Sequence, residues 1–388
     1  MQKSFSIITS KFYICTSLLI CLVLNFIVGC KKVDTQNIGN GKVNELKYTS
    51  RLKMWTNEEG VRFAEVFQTN DTTKPLATYI FPLKKDLSAY QKEYPNAIII
   101  PKEGLNNLLV YSSVFSTALD EMGVSSLIGS VVDAQYFSNP RIIEGLQNGT
   151  IKDIGMSQNP SEEVLIASKP NLALVGVYDG MDFSILNKHS IPVVYMADNL
   201  ENNPLGRAEW IKFLSTIVGQ PEKGDIIFNA VEKKYNSLKN IGTTSSHKPK
   251  IMVENMYQGI WYVPGGASYA AQLMKDAGGD YIWKDNNDFG SLSLSFENVL
   301  SKASDADIWL LKLYGTELTK EGLKEMDERN MLFGPVKKGN VWYSNTKHSN
   351  IFDETAYHPE LLLREYIKIF HPEKDTTFTP QYFKRMSD

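Results

Sequence analysis

Aromatic side chains with polar tips stand close behind several apolar runs: Gln135-Tyr136, Tyr178-Asp179, Trp261-Tyr262 and Tyr314-Gly315. Such rings offer flat apolar area with a hydrogen-bonding edge. Ser112-Ser113 after Leu108–Tyr111 adds hydroxyls, and Met156-Ser157 adds a thioether beside a hydroxyl. Arg207 could grip an anionic ligand or close an internal ion pair. Lys347-His348 could meet ligand carboxylates or simply stand in solvent.

Bond-making chemistry has little support in the same residues. Gly-x-Ser-x-Gly is absent, as is any Gly-Lys-Ser or Gly-Lys-Thr phosphate loop, and nothing specific supplies Ser112-Ser113 with a histidine. The five histidines, His189, His247, His348, His358 and His371, are scattered rather than clustered as ligands of one ion. No cofactor is called for.

The compartment follows from the first thirty residues. Lys3 and Lys11 precede an apolar run from Phe12 to Val28, and no acid occurs before Cys30. That is the pattern of a secretory signal. Cys15, Cys21 and Cys30 are the only cysteines, so a chain cleaved before Cys30 has no disulfide and no cysteine-bound metal. Removing residues 1–29 deletes two lysines and no acid, which moves the formal charge from −3 to −5. Nucleic acid is an unsuitable partner for such a chain.

These residues need elements to hold them. Polar residues 30–43 read as a tether, and residues 44–96 as a β-rich extension, with Leu52–Trp55 and Val61–Phe67 alternating around Thr56–Gly60. From 97 to 203 short apolar runs such as Leu108–Tyr111, Leu127–Val132, Leu172–Val177 and Ile191–Met196 are separated by amphipathic stretches. Strands alternating with helices imply a mostly parallel sheet. Residues 204–241 are helical, with Ile227, Val231 and Tyr235 on one face, and 242–388 repeat the strand-helix alternation. The expected fold class is α/β: two Rossmann-like lobes joined by one long helix, after a small β-rich extension.

Several segments resemble the substrate-binding proteins of ABC importers for iron–siderophore complexes, haem and cobalamin. Glu163–Val175 is similar to that family's helix-to-strand segment, with Asn171 where Asp is usual. Gly265–Gly279, Leu294–Leu300 and Gly339–Tyr343 resemble its later segments, so the likeness covers roughly residues 105–370. Ile27-Val28-Gly29-Cys30 resembles a lipobox, which implies lipidation of Cys30 and a periplasm-facing lipoprotein.

The resemblance implies a ligand cleft between two lobes, with ligand groups in loops at the carboxyl ends of parallel strands. Ser112, Ser113, Gln135, Tyr136, Met156, Tyr178, Asp179, Arg207, Trp261, Tyr262, Tyr314 and His348 are then the candidate ligand contacts. Glu163 and Glu297 match the family's two permease-docking glutamates, with Glu162 the substitute if the register slips by one. The implied partners are a permease dimer, an iron chelate, haem or cobalamin, and the membrane. A chelatase-like enzyme on the same architecture and a receptor for a bare metal ion are the competing readings.

Overall fold

A computed structural model describes residues 41–388, except 45, 70, 72, 84–86 and 102–103. The expected signal peptide and Cys30 lie outside the described residues. Lys42–Asp388 forms one compact unit. Among the described residues no helix is long and apolar enough to cross a membrane.

The extension is an antiparallel meander of Leu52–Asn57, Arg62–Val66 and Ala77–Phe81, to which Ile98–Ile99 adds in parallel. Alternation explains it, because Leu52, Met54, Ala64 and Val66 point inward while Lys53 and Glu65 face away from the core as a cross-strand pair.

The first lobe has β1 (Leu108–Val110), β2 (Ile128–Val131), β3 (Lys152–Asp153), β4 (Leu172–Gly176) and β5 (Val193–Met196), in the spatial order β5-β4-β1-β2-β3. All four pairings are parallel. Leu172, Ala173, Leu174 and Val175 are all buried, as expected for a strand covered by helices on both faces. The second lobe has β6 (Lys250–Val253), β7 (Asp280–Tyr281), β8 (Ile308–Leu313), β9 (Val341–Asn345) and β10 (Lys384–Arg385), ordered β7-β6-β8-β9-β10. Only β10 runs antiparallel.

Between the sheets runs α1 (Pro221–Thr243), a helix of 23 residues, about 35 Å long at 1.5 Å per residue. Its buried face is Gly224, Phe228, Val231 and Tyr235, spaced four, three and four. Two glycines let it approach its neighbours closely. A Cβ on Gly224 would overlap Ser215, on a helix beside the first lobe, and one on Gly242 would lie 2.5 Å from the Asp276 carbonyl oxygen of the second. Tyr235 also donates to Asp276 Oδ2 at 2.8 Å. The helix is thus fastened near both ends.

Candidate functional site

The carboxyl ends of the two parallel sheets meet. Helix α2 (Ser113–Glu121) starts just beyond β1, and helix α3 (Ile351–Thr355) follows β9. Ser113 Oγ donates to Asp353 Oδ1 at 2.6 Å and Ser138 Oγ to Oδ2 at 3.3 Å, so one carboxylate of the second lobe collects two hydroxyls of the first. Burial lifts the Asp353 carboxyl above its ordinary range, partly offset by these hydroxyls. A second crossing lies behind it, where His358 touches Glu121 at 2.9 Å and Glu360 at 3.0 Å.

Around this junction the first lobe presents rings. Tyr111 and Tyr178 both pack edge-on against Phe183, with centroids 5.5 and 6.3 Å away. Burial first, then Tyr178 and Asp133, push the Tyr111 phenol up to about 12, so it is a neutral hydrogen-bonding tip. Tyr136 lies two residues before Ser138 and keeps 62 % of its surface exposed, as does Met156. Gln135, Tyr178 and Asp179 are exposed as well. Ser112 spends its hydroxyl as the N-cap of α2, accepting from Val114 N–H at 3.3 Å, whereas Ser113 reaches across to the other lobe.

From the second lobe come Tyr314 after β8 and Lys347 and His348 after β9, all exposed. Asn345 Oδ1 accepts from Gly315 N–H at 3.0 Å and Lys347 N–H at 3.3 Å, which brings the two loops together. Tyr262 stands outward on the strand Ile260–Pro264. Trp261, expected in a ligand loop, is instead a fully buried core residue of that strand. Its ring stacks on Trp309 with centroids 5.7 Å apart, and its indole N–H donates to the Val253 carbonyl at 3.0 Å. Strand alternation is the cause, since only one of two adjacent aromatics faces outward.

Arg207 is likewise committed inside the protein. It pairs with buried Asp198 at 3.2 Å and lies over the Tyr269 ring at 5.6 Å. Burial opposes its charge, but the Asp198 carboxylate, with Tyr269 and Tyr357, outweighs that and raises its pKa. Of the two readings of Arg207, the structure has the ion pair.

Four further candidates were invisible to sequence reasoning. Phe352 and Tyr257 are exposed rings beyond β9 and β6, and no spacing distinguishes them from ordinary loop residues. Asp133 and Glu254 adopt left-handed backbone at φ 51° and 61°, just past the carboxyl ends of β2 and β6. Such positive φ is uncommon for non-glycine residues and concentrates at functional sites.

Glu163 and Glu297 occupy the same local setting in the two lobes. Each lies in the first turn of a helix whose preceding serine, Ser161 or Ser295, caps it by accepting a backbone N–H. Glu163 is exposed, while Glu162 is engaged by Lys188 at 2.6 Å and His189 at 2.7 Å. Glu297 lies 3.6 Å from Arg329, which is also held by Asp327. A separate cavity of about 360 Å3, lined by Arg62, Phe81, Ile100 and Thr216, sits against the extension and contains none of these residues.

The periplasmic binding protein family matches residues 131–344. An uncharacterized lipoprotein of Methanocaldococcus jannaschii is 32 % identical over 285 residues, which cover 69 % of this chain and 66 % of that protein. Among solved structures, a periplasmic heme-binding protein from Pseudomonas aeruginosa aligns with a TM-score of 0.56 at 12 % identity, covering 73 % of this chain and 98 % of that one. The periplasmic vitamin B12-binding protein of Vibrio cholerae aligns at 0.52 and 12 % identity, covering 68 % and 96 %. A TroA-like periplasmic binding protein of Veillonella parvula aligns at 0.55 and 15 % identity, covering 74 % and 96 %. These likenesses share the two-lobe α/β fold, and with more than half its length matched by the family, this chain belongs to the periplasmic binding proteins.

Proposed function

We propose that this protein is the substrate-binding component of an ABC importer. It captures an iron chelate, haem or cobalamin between its lobes and delivers it to a permease, held at the membrane through lipidated Cys30. The observation that carries this reading is the meeting of two sheets' carboxyl ends at Ser113 and Asp353, with Tyr136, Tyr178, Tyr314 and Phe352 exposed in the segments that follow those strand ends. Ligands of open α/β sheets bind in crevices at such ends. Relatives of the same fold bind heme and vitamin B12, in keeping with a cleft built from rings.

Delivery requires recognition by a partner, and Glu163 and Glu297 are suited to it. Two carboxylates in equivalent first turns, one per lobe, form a two-point pattern that a pair of permease arginines could read.

Titrating the purified protein with ferric siderophores, haem and cobalamin, followed by tryptophan fluorescence, tests capture. Saturable submicromolar binding of one of them is the expected result. No binding by folded protein counts against the reading and returns weight to an enzyme or a bare-ion receptor. For delivery, Glu163→Ala combined with Glu297→Ala should abolish uptake in cells while leaving the dissociation constant within about twofold. Uptake that persists in the double variant refutes the docking assignment.

A further inference from the structure

The charged groups around the cleft are unequally free. Asp353, at the junction of the lobes, is bonded by the neutral hydroxyls of Ser113 and Ser138, and among the described residues it has no cationic partner. Asp133 accepts a backbone N–H, from Ser157 at 3.3 Å. Asp179 is exposed beside Tyr178, and Asp182 accepts the Ser184 N–H at 2.8 Å.

The cations are mostly engaged. Arg207 is neutralised by Asp198, and Lys312 by Glu254. Among the described residues at these strand ends, that leaves Lys347, with the imidazole of His348 beside it, against the four carboxylates of Asp133, Asp179, Asp182 and Asp353. The exposed aromatic faces add to the imbalance, since the ring quadrupole is negative over its face and attracts cations. A cleft lined by one sign of charge focuses that field on whatever enters.

From this imbalance we infer that the cleft selects by charge: its ligand is a chelate or macrocycle with no net negative charge, and Asp133 and Asp353 are its principal filters. The inference rests on the importer reading above and narrows it. A chelate carrying several ionised oxygens would place them against unpaired carboxylates, with Lys347 to answer them. A neutral or cationic complex can bring a polar or ammonium edge to Asp353 and lay its apolar flank on Tyr136, Tyr178 and Tyr314.

Three probes of different charge test this on the full-length protein in detergent: the ferric complex of desferrioxamine B, at +1; cyanocobalamin, neutral and bulkier; and a ferric tris-catecholate, at −3 and close in size to the first. Dissociation constants measured at about 50 and 300 mM salt bracket the screening range, because the Debye length falls to about 10 Å by 0.1 M. At least one of the first two should bind tenfold or more tightly than the tris-catecholate. The tris-catecholate's affinity should rise with salt.

Asp133→Asn combined with Asp353→Asn should narrow the ratio at least fivefold by improving the anion. Asn suits both sites, since it tolerates left-handed backbone and keeps an oxygen to accept from Ser113. If the tris-catecholate binds as tightly as the others, the charge filter is wrong while the importer reading stands. An unchanged ratio in the folded double variant removes Asp133 and Asp353 from the role. Binding of none of the three, nor of haem, overturns the importer reading and the filter together.

Discussion

Trp261 and Tyr262 are neighbours in one strand and meet opposite environments. The indole is enclosed by Trp309, Phe296 and Phe333, whereas Tyr262 keeps 43 % of its surface exposed. Trp261→Ala should therefore cost about 3–5 kcal/mol, the usual penalty for emptying an aromatic core site. Tyr262→Ala should stay within about 0.5 kcal/mol. Denaturant midpoints of the two variants check this, and a larger loss for Tyr262 would contradict the assignment of faces. The sequence carried the alternation but not its phase: an aromatic pair in a strand leaves open which ring is inside, and in this strand the larger is core. Arg207 is a similar case, because its partner Asp198 is nine residues away across a turn and no periodicity links them. The exposed positions of Tyr136, Tyr178 and Tyr314 beyond strand ends were legible because each closely follows an apolar run that had to be a strand. Asp133, Asp353 and Phe352 were not, since a left-handed backbone and an interlobe contact exist only after folding.

At the scale of elements, the strands of both lobes and the long helix were legible from apolar runs and helical spacing. The helix's inward face holds Val231 and Tyr235 as expected, with Ile227 packed partly buried against the core and Phe228 beside it fully buried. What the sequence hid was how the extension is fastened. Buried Glu209 accepts from the backbone N–H groups of Lys47, Tyr48 and Thr49, at 3.0, 2.8 and 3.3 Å, and Glu201 accepts from those of Ser50 and Arg51. These partners lie at least 150 residues apart in sequence, beyond the reach of any local pattern. The meander itself meets the first lobe at β5, the edge strand of that sheet. There the Tyr79 hydroxyl accepts from Tyr195 N–H at 2.8 Å and donates to the Val193 carbonyl at 3.3 Å, occupying backbone groups that an edge strand leaves open. Tyr79→Phe would leave an N–H and a carbonyl of β5 without this partner in a site closed to water. The expected cost is about 1–3 kcal/mol, seen as a lower denaturant midpoint at unchanged m-value. A midpoint equal to the parent's would mean that the hydroxyl contributes nothing to joining the extension.

At the scale of the whole molecule, the lobes are linked by α1, by a hydrophobic cluster that runs from Leu108 and Phe115 through Phe228 and Tyr235 to Ile251 and Leu363, and by polar contacts at the junction, so any change in the angle between the lobes must work against that shared core as well as the junction. His358 is an ionic contact at that junction. It lies between Glu121 of α2 and Glu360 of the final helix, Pro359–Phe370. Burial alone would depress its pKa, yet the two carboxylates overcome this and raise it from 6.5 to about 10. The folded protein therefore holds a proton on His358 that the unfolded chain releases near pH 6.5. Between those values the native state binds more protons, so stability falls as pH rises, being fully present below 6.5 and lost as pH passes through about 10. At about 1.4 kcal/mol per unit, and allowing for coupling among three charges, the loss by pH 9 is on the order of 3 kcal/mol. His358→Gln removes the titrating group, so the parent should be the more stable at pH 6, with a gap that narrows by about 3 kcal/mol by pH 9 and closes above pH 10, as measured by denaturant midpoints. Tyrosines and lysines that titrate in both proteins cancel in that difference. A gap that stays constant with pH would mean that His358 contributes packing rather than charge. A gap that widens with pH would mean that the folded protein holds His358 neutral, with its pKa below 6.5, and would leave Ser113 and Asp353 as the junction's principal polar tie.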